Sequence, residues 1–122
     1  MTKLFFNIHN DKQGIQRSLG EGVSTRIFPG EQAMLSIVTI EAKSESARHS
    51  HPEEQWGVLL EGSGVRVQDG IEYSVSAGDF WQTPGGVPHS FCAGEEGAVI
   101  IDIFSPPRAE YRKPGDGVVS ES

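Results

Sequence analysis

The sequence predicts an all-β fold, a barrel, sandwich or jelly roll built from many short antiparallel strands. Three observations carry this expectation. Short runs rich in Val, Ile, Thr and aromatic residues recur along the chain, divided by Gly- and Pro-containing turns. No long segment has the period of an amphipathic helix. Fifteen glycines and seven prolines, spread evenly through 122 residues, argue against a helical bundle. Strands of this kind must close on themselves or stack, because an exposed edge invites unwanted pairing.

The elements follow in order. Val23–Phe28 reads as a strand and ends at the Pro29-Gly30 turn, after which Met34–Glu41 reads as the next. Gln55–Leu60 and Val65–Gln68 are divided by Gly62-Ser63-Gly64. Asp69-Gly70 is a strong hairpin signal and leads into Ile71–Val75. Ala77-Gly78 introduces Asp79–Thr83, and Gly85-Gly86 introduces His89–Ala93. Gly94 separates that run from Ala98–Phe104. The first twenty residues and the tail from Lys113 are polar and poorly patterned. The expectation is a single domain over residues 1–122, with a core at about 20–110 and a flexible tail at 113–122.

Composition narrows the function. A domain of this length buries a real core without disulfides, and the single Cys92 excludes an intrachain bridge. A lone thiol fits a reducing compartment. Cys92 alternates with its neighbours in a way that suggests a buried, inert thiol. The start MTKLFFNIHN has no basic region followed by a long apolar stretch, so it does not read as a signal peptide. No apolar run approaches the roughly 18 residues of a membrane helix, and a soluble, cytoplasmic protein is expected. Net charge is -7 with Lys and Arg scattered singly, which disfavours a nucleic-acid role. A small-molecule partner fits better, and an anionic one would need locally placed arginines.

The four histidines are unevenly placed. His49 and His51 stand two apart in RHSHPEEQWG, so an extended chain projects both imidazoles from one face. Two neutral nitrogen donors can then share one metal ion. An HxH pair alone is about as often an ordinary polar strand face. His89 follows in AGDFWQTPGGVPHSF, where Gly78, Pro84 and Gly86 punctuate a strand and a turn before it.

Taken together, the two segments resemble the paired motifs of the cupin superfamily. The first motif aligns at His49, His51, Gln55 and Gly62, and the second at Gly78, Pro84, Gly86 and His89. The second motif's usual terminal Asn is Ala93 here. The resemblance implies a small cupin β-barrel (double-stranded β-helix, or jelly roll), one divalent metal ion, and a homodimer. The ion is Zn, Ni, Fe, Mn, Co or Cu, and the sequence does not choose among them.

The acidic position of the first motif holds Gln55, preceded by Glu54. Three readings stay open: ligation by the Gln55 amide oxygen, substitution by Glu54, or three histidines plus water with Gln55 behind them. If Gln55 ligates, the shell is neutral and the ion keeps its full charge. Such a centre is a stronger Lewis acid, suited to non-redox polarisation of an anionic ligand.

The last strand adds a carboxylate. Parity puts Ile100, Asp102 and Phe104 on one face and Ile101 and Ile103 on the other. A buried Asp102 is costly unless it is paired or employed. Ser105-Pro106-Pro107 stops the strand, and Arg108 is placed to clamp a carboxylate over the barrel mouth. HSHPxEQ together with DxFSPPR is similar to small cupins that open the ring of 4,5-unsaturated monouronates in pectin and alginate breakdown. That resemblance implies metal binding by His49, His51, Gln55 and His89. It also implies acid–base work by Asp102, sugar packing by Phe104 and carboxylate binding by Arg108. Two alternatives stand beside this metal-dependent non-redox enzyme. One is a quercetinase-like dioxygenase, favoured by a deep, purely apolar pocket; the other is a non-catalytic ligand-binding cupin.

Overall fold

The computed structural model describes residues 3–109 and, for the backbone alone, 115–116. Among these residues eight strands form: β1 (Ile15–Gly20), β2 (Val23–Pro29), β3 (Met34–Ile40), β4 (Glu54–Gln68), β5 (Ile71–Ser76), β6 (Phe80–Thr83), β7 (His89–Ser105) and β8 (Gly115–Asp116). Their hydrogen-bonded order is β5-β4-β7-β3-β2-β1-β8, with β6 also on β4. The fold is an all-β jelly roll, and no helix among the described residues is long and apolar enough to cross a membrane.

Two strands are longer than their sequence suggests. Gly62-Ser63-Gly64 and Gly94 do not turn the chain; they lie inside β4 and β7. The β4–β7 pairing slips in register between Leu59 and Glu61 and again between Gly62 and Gly64. Such irregularities let a strand bend and twist without ending. Gly62 (φ 88) and Gly97 (φ 75) meet at this bend, and a side chain on Gly62 would run into the Gly97 carbonyl. Glycine is therefore required there.

The bend sends each long strand through two layers. Ser63–Gln68 of β4 pairs with β5 on one side and with His89–Ala93 of β7 on the other. Before the bend, residues 54–61 of β4 pair with β6 and with the second half of β7, which continues to β3. Isolated bridges Glu45↔Cys92 and His49↔His89 extend the first layer. Inward residues of both layers meet in a core of Val23, Val38, Ile40, Leu59, Phe91 and Ile100, all at most 7% exposed. Burying each such side chain stabilises the fold by roughly 1.5–3 kcal/mol.

Asp69 (φ 52) and Gly70 (φ 79) join β4 to β5 in the predicted hairpin. The sheet begins at Ile15, before the expected core, because an edge strand with only Ile15 and Leu19 apolar carries little pattern. The tail predicted from Lys113 lies outside the described residues, apart from Gly115–Asp116, which pair in parallel with β1. Cys92 is exposed, not buried: its neighbours Phe91 and Ala93 take the inward face. Arg26 donates to the carbonyls of Ile8 and Asn10.

Candidate metal centre

Strand alternation delivers the site residues to one end of the barrel interior. On β7 the inward positions are His89, Phe91 and Ala93, then Ile100 and Phe104 after the bend. On β4 they are Gln55, Gly57 and Leu59. His49 is held against β7 by a reciprocal backbone pair with His89. The turn after His51 places its ring beside Gln55, four residues on.

His49, His51 and His89 come together, with donor atoms all within 4.8 Å of one another. In each ring Nδ1 faces a backbone carbonyl: Ala47 at 2.9 Å, Glu53 at 3.0 Å and Val87 at 2.8 Å. A carbonyl only accepts, so Nδ1 carries the proton and Nε2 keeps its lone pair. Burial keeps the rings neutral, lowering His49 to about 4 and His89 to about 2. His51 is lowered too, by burial and then by the Arg108 charge.

Gln55 is 2% exposed and turns Oε1 to within 3.0 Å of His51 Nε2. Two lone-pair atoms then face one another with no proton between them. His89 Nε2 is likewise enclosed without a hydrogen-bond partner. A divalent cation satisfies all of these atoms at once, so the donor set fits a metal. Flipping the Gln55 amide would relieve the His51 contact, but the amide acts on the carboxyl of Asp102 and lowers its pKa, as a nitrogen turned toward it does. A flip would set oxygen against carboxylate. Glu54, the alternative by sequence, is exposed and accepts from Trp56 and Gln82 on the outer face.

Asp102, Phe104 and Arg108 line the same cavity of about 50 Å³. Loss of solvation pushes Asp102 up to about 6, against the opposing effects of Arg66 and of the Gln55 hydrogen bond. The Phe104 ring lies 5.3 Å from that of His51. Arg108 is 2% exposed and stands over Phe104, with Nε 3.7 Å from Glu53. The cavity also contains a residue that the sequence reading passed over, Arg66, which is 5% exposed. Its only sequence signal is a lone cation between two valines in a strand.

Residues 36–104 match the cupin domain family (Cupin_2). The chain belongs to this family. Over 109 residues it is 34% identical to oxalate decarboxylase OxdC of Bacillus subtilis (strain 168), covering 82% of this chain but 27% of that one. It therefore spans about a quarter of that relative. Over 95 residues it is 28% identical to the pectin degradation protein KdgF of Dickeya dadantii (strain 3937), covering 76% and 86% of the two chains. The structure of KdgF from Halomonas sp. superposes with a TM-score of 0.78 at 24% identity, covering 89% of this cupin and 98% of that chain. An RmlC-like cupin from Shewanella frigidimarina NCIMB 400 gives 0.75 at 24% identity, with coverage of 83% and 91%. These two superpositions establish the fold.

The neutral histidines make stability depend on pH in a definite direction. Unfolded histidine titrates near 6.5, above the folded values of about 4 for His49 and about 2 for His89. Below pH 6.5 the unfolded chain therefore binds protons that the folded state refuses, and stability falls with pH. Asp102 acts oppositely, because its raised pKa favours the folded state as pH falls through about 6. Three histidines outweigh one carboxyl. Chelator-treated protein is expected to unfold at lower urea at pH 5 than at pH 7, and His89→Gln to narrow that difference. A difference that His89→Gln leaves unchanged would contradict this account.

Proposed function

We propose that this cupin is a metal-dependent, non-redox enzyme acting on a small anionic sugar or keto acid. The 4,5-unsaturated monouronates are the substrate class to test first. The observation that carries the reading is the Gln55 amide, whose oxygen stands 3.0 Å from His51 Nε2 and joins three imidazole lone pairs. Every donor in that set is neutral. The likeness to the pectin degradation protein of Dickeya dadantii supports the substrate class.

In this reading His49, His51, His89 and Gln55 hold the ion. When bound, it supplies Lewis acidity to an oxygen of the ligand and keeps its double charge. Asp102 is the acid–base group, since burial lets its carboxyl hold a proton at higher pH than an ordinary aspartate. It gives that proton to the enol-ether carbon of the substrate. Water then adds to the adjacent carbon and returns a proton to Asp102, and the resulting hemiketal opens to the linear keto sugar. Phe104 offers an apolar wall to the ring, and Arg108 a cation beside it.

A quercetinase-like dioxygenase asks for a purely apolar pocket; two arginines and a carboxyl in this cavity support the non-redox reading. The test is a screen of unsaturated uronates and small keto acids on protein of measured metal content, run in an oxygen electrode. Turnover without oxygen uptake is expected. Oxygen consumed in step with product, or no turnover at full metal occupancy, would sink the proposal.

A further inference from the structure

Arg66 is a buried charge without a matching ion pair. It stands on the inward face of β4 at 5% exposure. Its Nε donates to Gln68 at 3.1 Å and its Nη2 to the Thr83 hydroxyl at 2.8 Å. Thr83 in turn donates to Gln68, which closes a small ring of polar contacts. The guanidinium also stands over the Trp81 ring, 5.4 Å from its centroid. Three neutral groups thus hold it in one orientation.

None of the ion pairs among the described residues includes Arg66. Its Nη1 makes no hydrogen bond to any described residue. Burial lowers it to about 10, and Asp102 only partly offsets the loss of solvent. A buried cation in this state is costly unless a partner arrives. Arg108 differs, because the Glu53 carboxylate lies 3.7 Å from its Nε and shares its charge.

The place of Arg66 says where the partner belongs. It lines the cavity that holds His49, His89, Gln55 and Asp102. Of the charges acting on His89 that of Arg66 comes first, whereas on His51 that of Arg108 does. Arg66 also borders an outer cleft beside Trp81 and Phe80. Its influence on His89 and Asp102 nevertheless keeps its charge within reach of the candidate metal site. The two arginines therefore flank the histidines, and of the two only Arg66 has no carboxylate at ion-pair distance among the described residues, Asp102 acting on it from farther off.

We propose that Arg66 is the principal anion-binding residue of this cavity, receiving a carboxylate of the ligand on its uncommitted Nη1 edge. The ligand class is a small organic acid whose second oxygen faces the histidine cluster. A cavity of about 50 Å³ admits only roughly three to five water-sized positions, enough for the head of such an acid. A fixed guanidinium suits this task, since little freedom is lost when it binds. The inference rests on the anionic-ligand part of the proposed function but not on uronates. Failure of the uronate screen leaves it standing.

The test is calorimetric titration of acetate and of pyruvate into metal-loaded protein, with metal content and melting temperature recorded for every variant. Arg66→Met is expected to weaken binding roughly 10- to 100-fold, the range of a charge-assisted contact, at unchanged metal content. Arg66→Lys keeps a point charge without the fork and is expected to weaken binding only a few-fold; it decides the matter if Arg66→Met does not fold. Wild-type affinity in either folded variant overturns the proposal. So does a larger loss in Arg108→Met than in Arg66→Met, or no saturable binding of either acid to the unmodified protein.

Discussion

Replacing His51 and His89 together by alanine is expected to leave the purified protein without metal. The two residues are 3% and 2% exposed, and each presents Nε2 only because a carbonyl holds its Nδ1 proton. Removing both takes away two of four converging donors and leaves Gln55 Oε1 facing an empty pocket. Elemental analysis reads the result directly, and full occupancy in the double variant would remove the site. A second readout guards against simple misfolding. A metal that binds the folded state alone stabilises it by about 4 kcal/mol when present at a thousand times its Kd. A chelator should therefore lower the melting temperature of the unmodified protein and leave that of the variant unchanged. His89→Gln, which creates less empty space, should show the same insensitivity if the double variant proves too unstable to study.

Much of this site was legible in the sequence, for reasons that differ between residues. The histidines could be read because spacing and parity are local: His49 and His51 share a face at a separation of two, and His89 opens a strand after a punctuated turn. Parity also placed Asp102 and Phe104 inward, since β7 keeps its alternation after the bend. Gln55 was harder. Pro52 interrupts the strand between it and His51, and choosing between Gln55 and Glu54 required the turn geometry that sets one inward and the other against Trp56. Arg66 was not legible. Its burial depends on Gln68, Thr83 and Trp81, which lie on two strands joined only in three dimensions. The same limit explains the strand boundaries. Glycines at 62, 64 and 94 look like turns locally, but they become bulges because β4 and β7 cross there and support one another through the bend.

The Asp102 carboxyl has two separable tasks, and two substitutions are expected to divide them. One task is positional: its charge favours the Gln55 amide nitrogen on its own side and so leaves Oε1 toward His51. The other is chemical, the giving and taking of a proton. Asp102→Asn keeps an oxygen that accepts from Gln55 but has no proton to exchange near neutral pH. Metal content should therefore be unchanged while turnover falls by roughly 10²- to 10⁴-fold, the usual worth of a positioned acid–base group. Asp102→Leu removes both functions at similar size. Without its acceptor the Gln55 amide is free to turn its nitrogen toward His51, which withdraws one donor from the metal. Loss of an orienting partner of this kind typically weakens a metal site by 10- to 100-fold. Metal titration should thus rank Asp102→Asn beside the unmodified protein and Asp102→Leu well below it. Equal turnover in Asp102→Asn would take Asp102 out of the chemistry. Equal metal affinity in Asp102→Leu would instead show that Gln55 is aimed by something else.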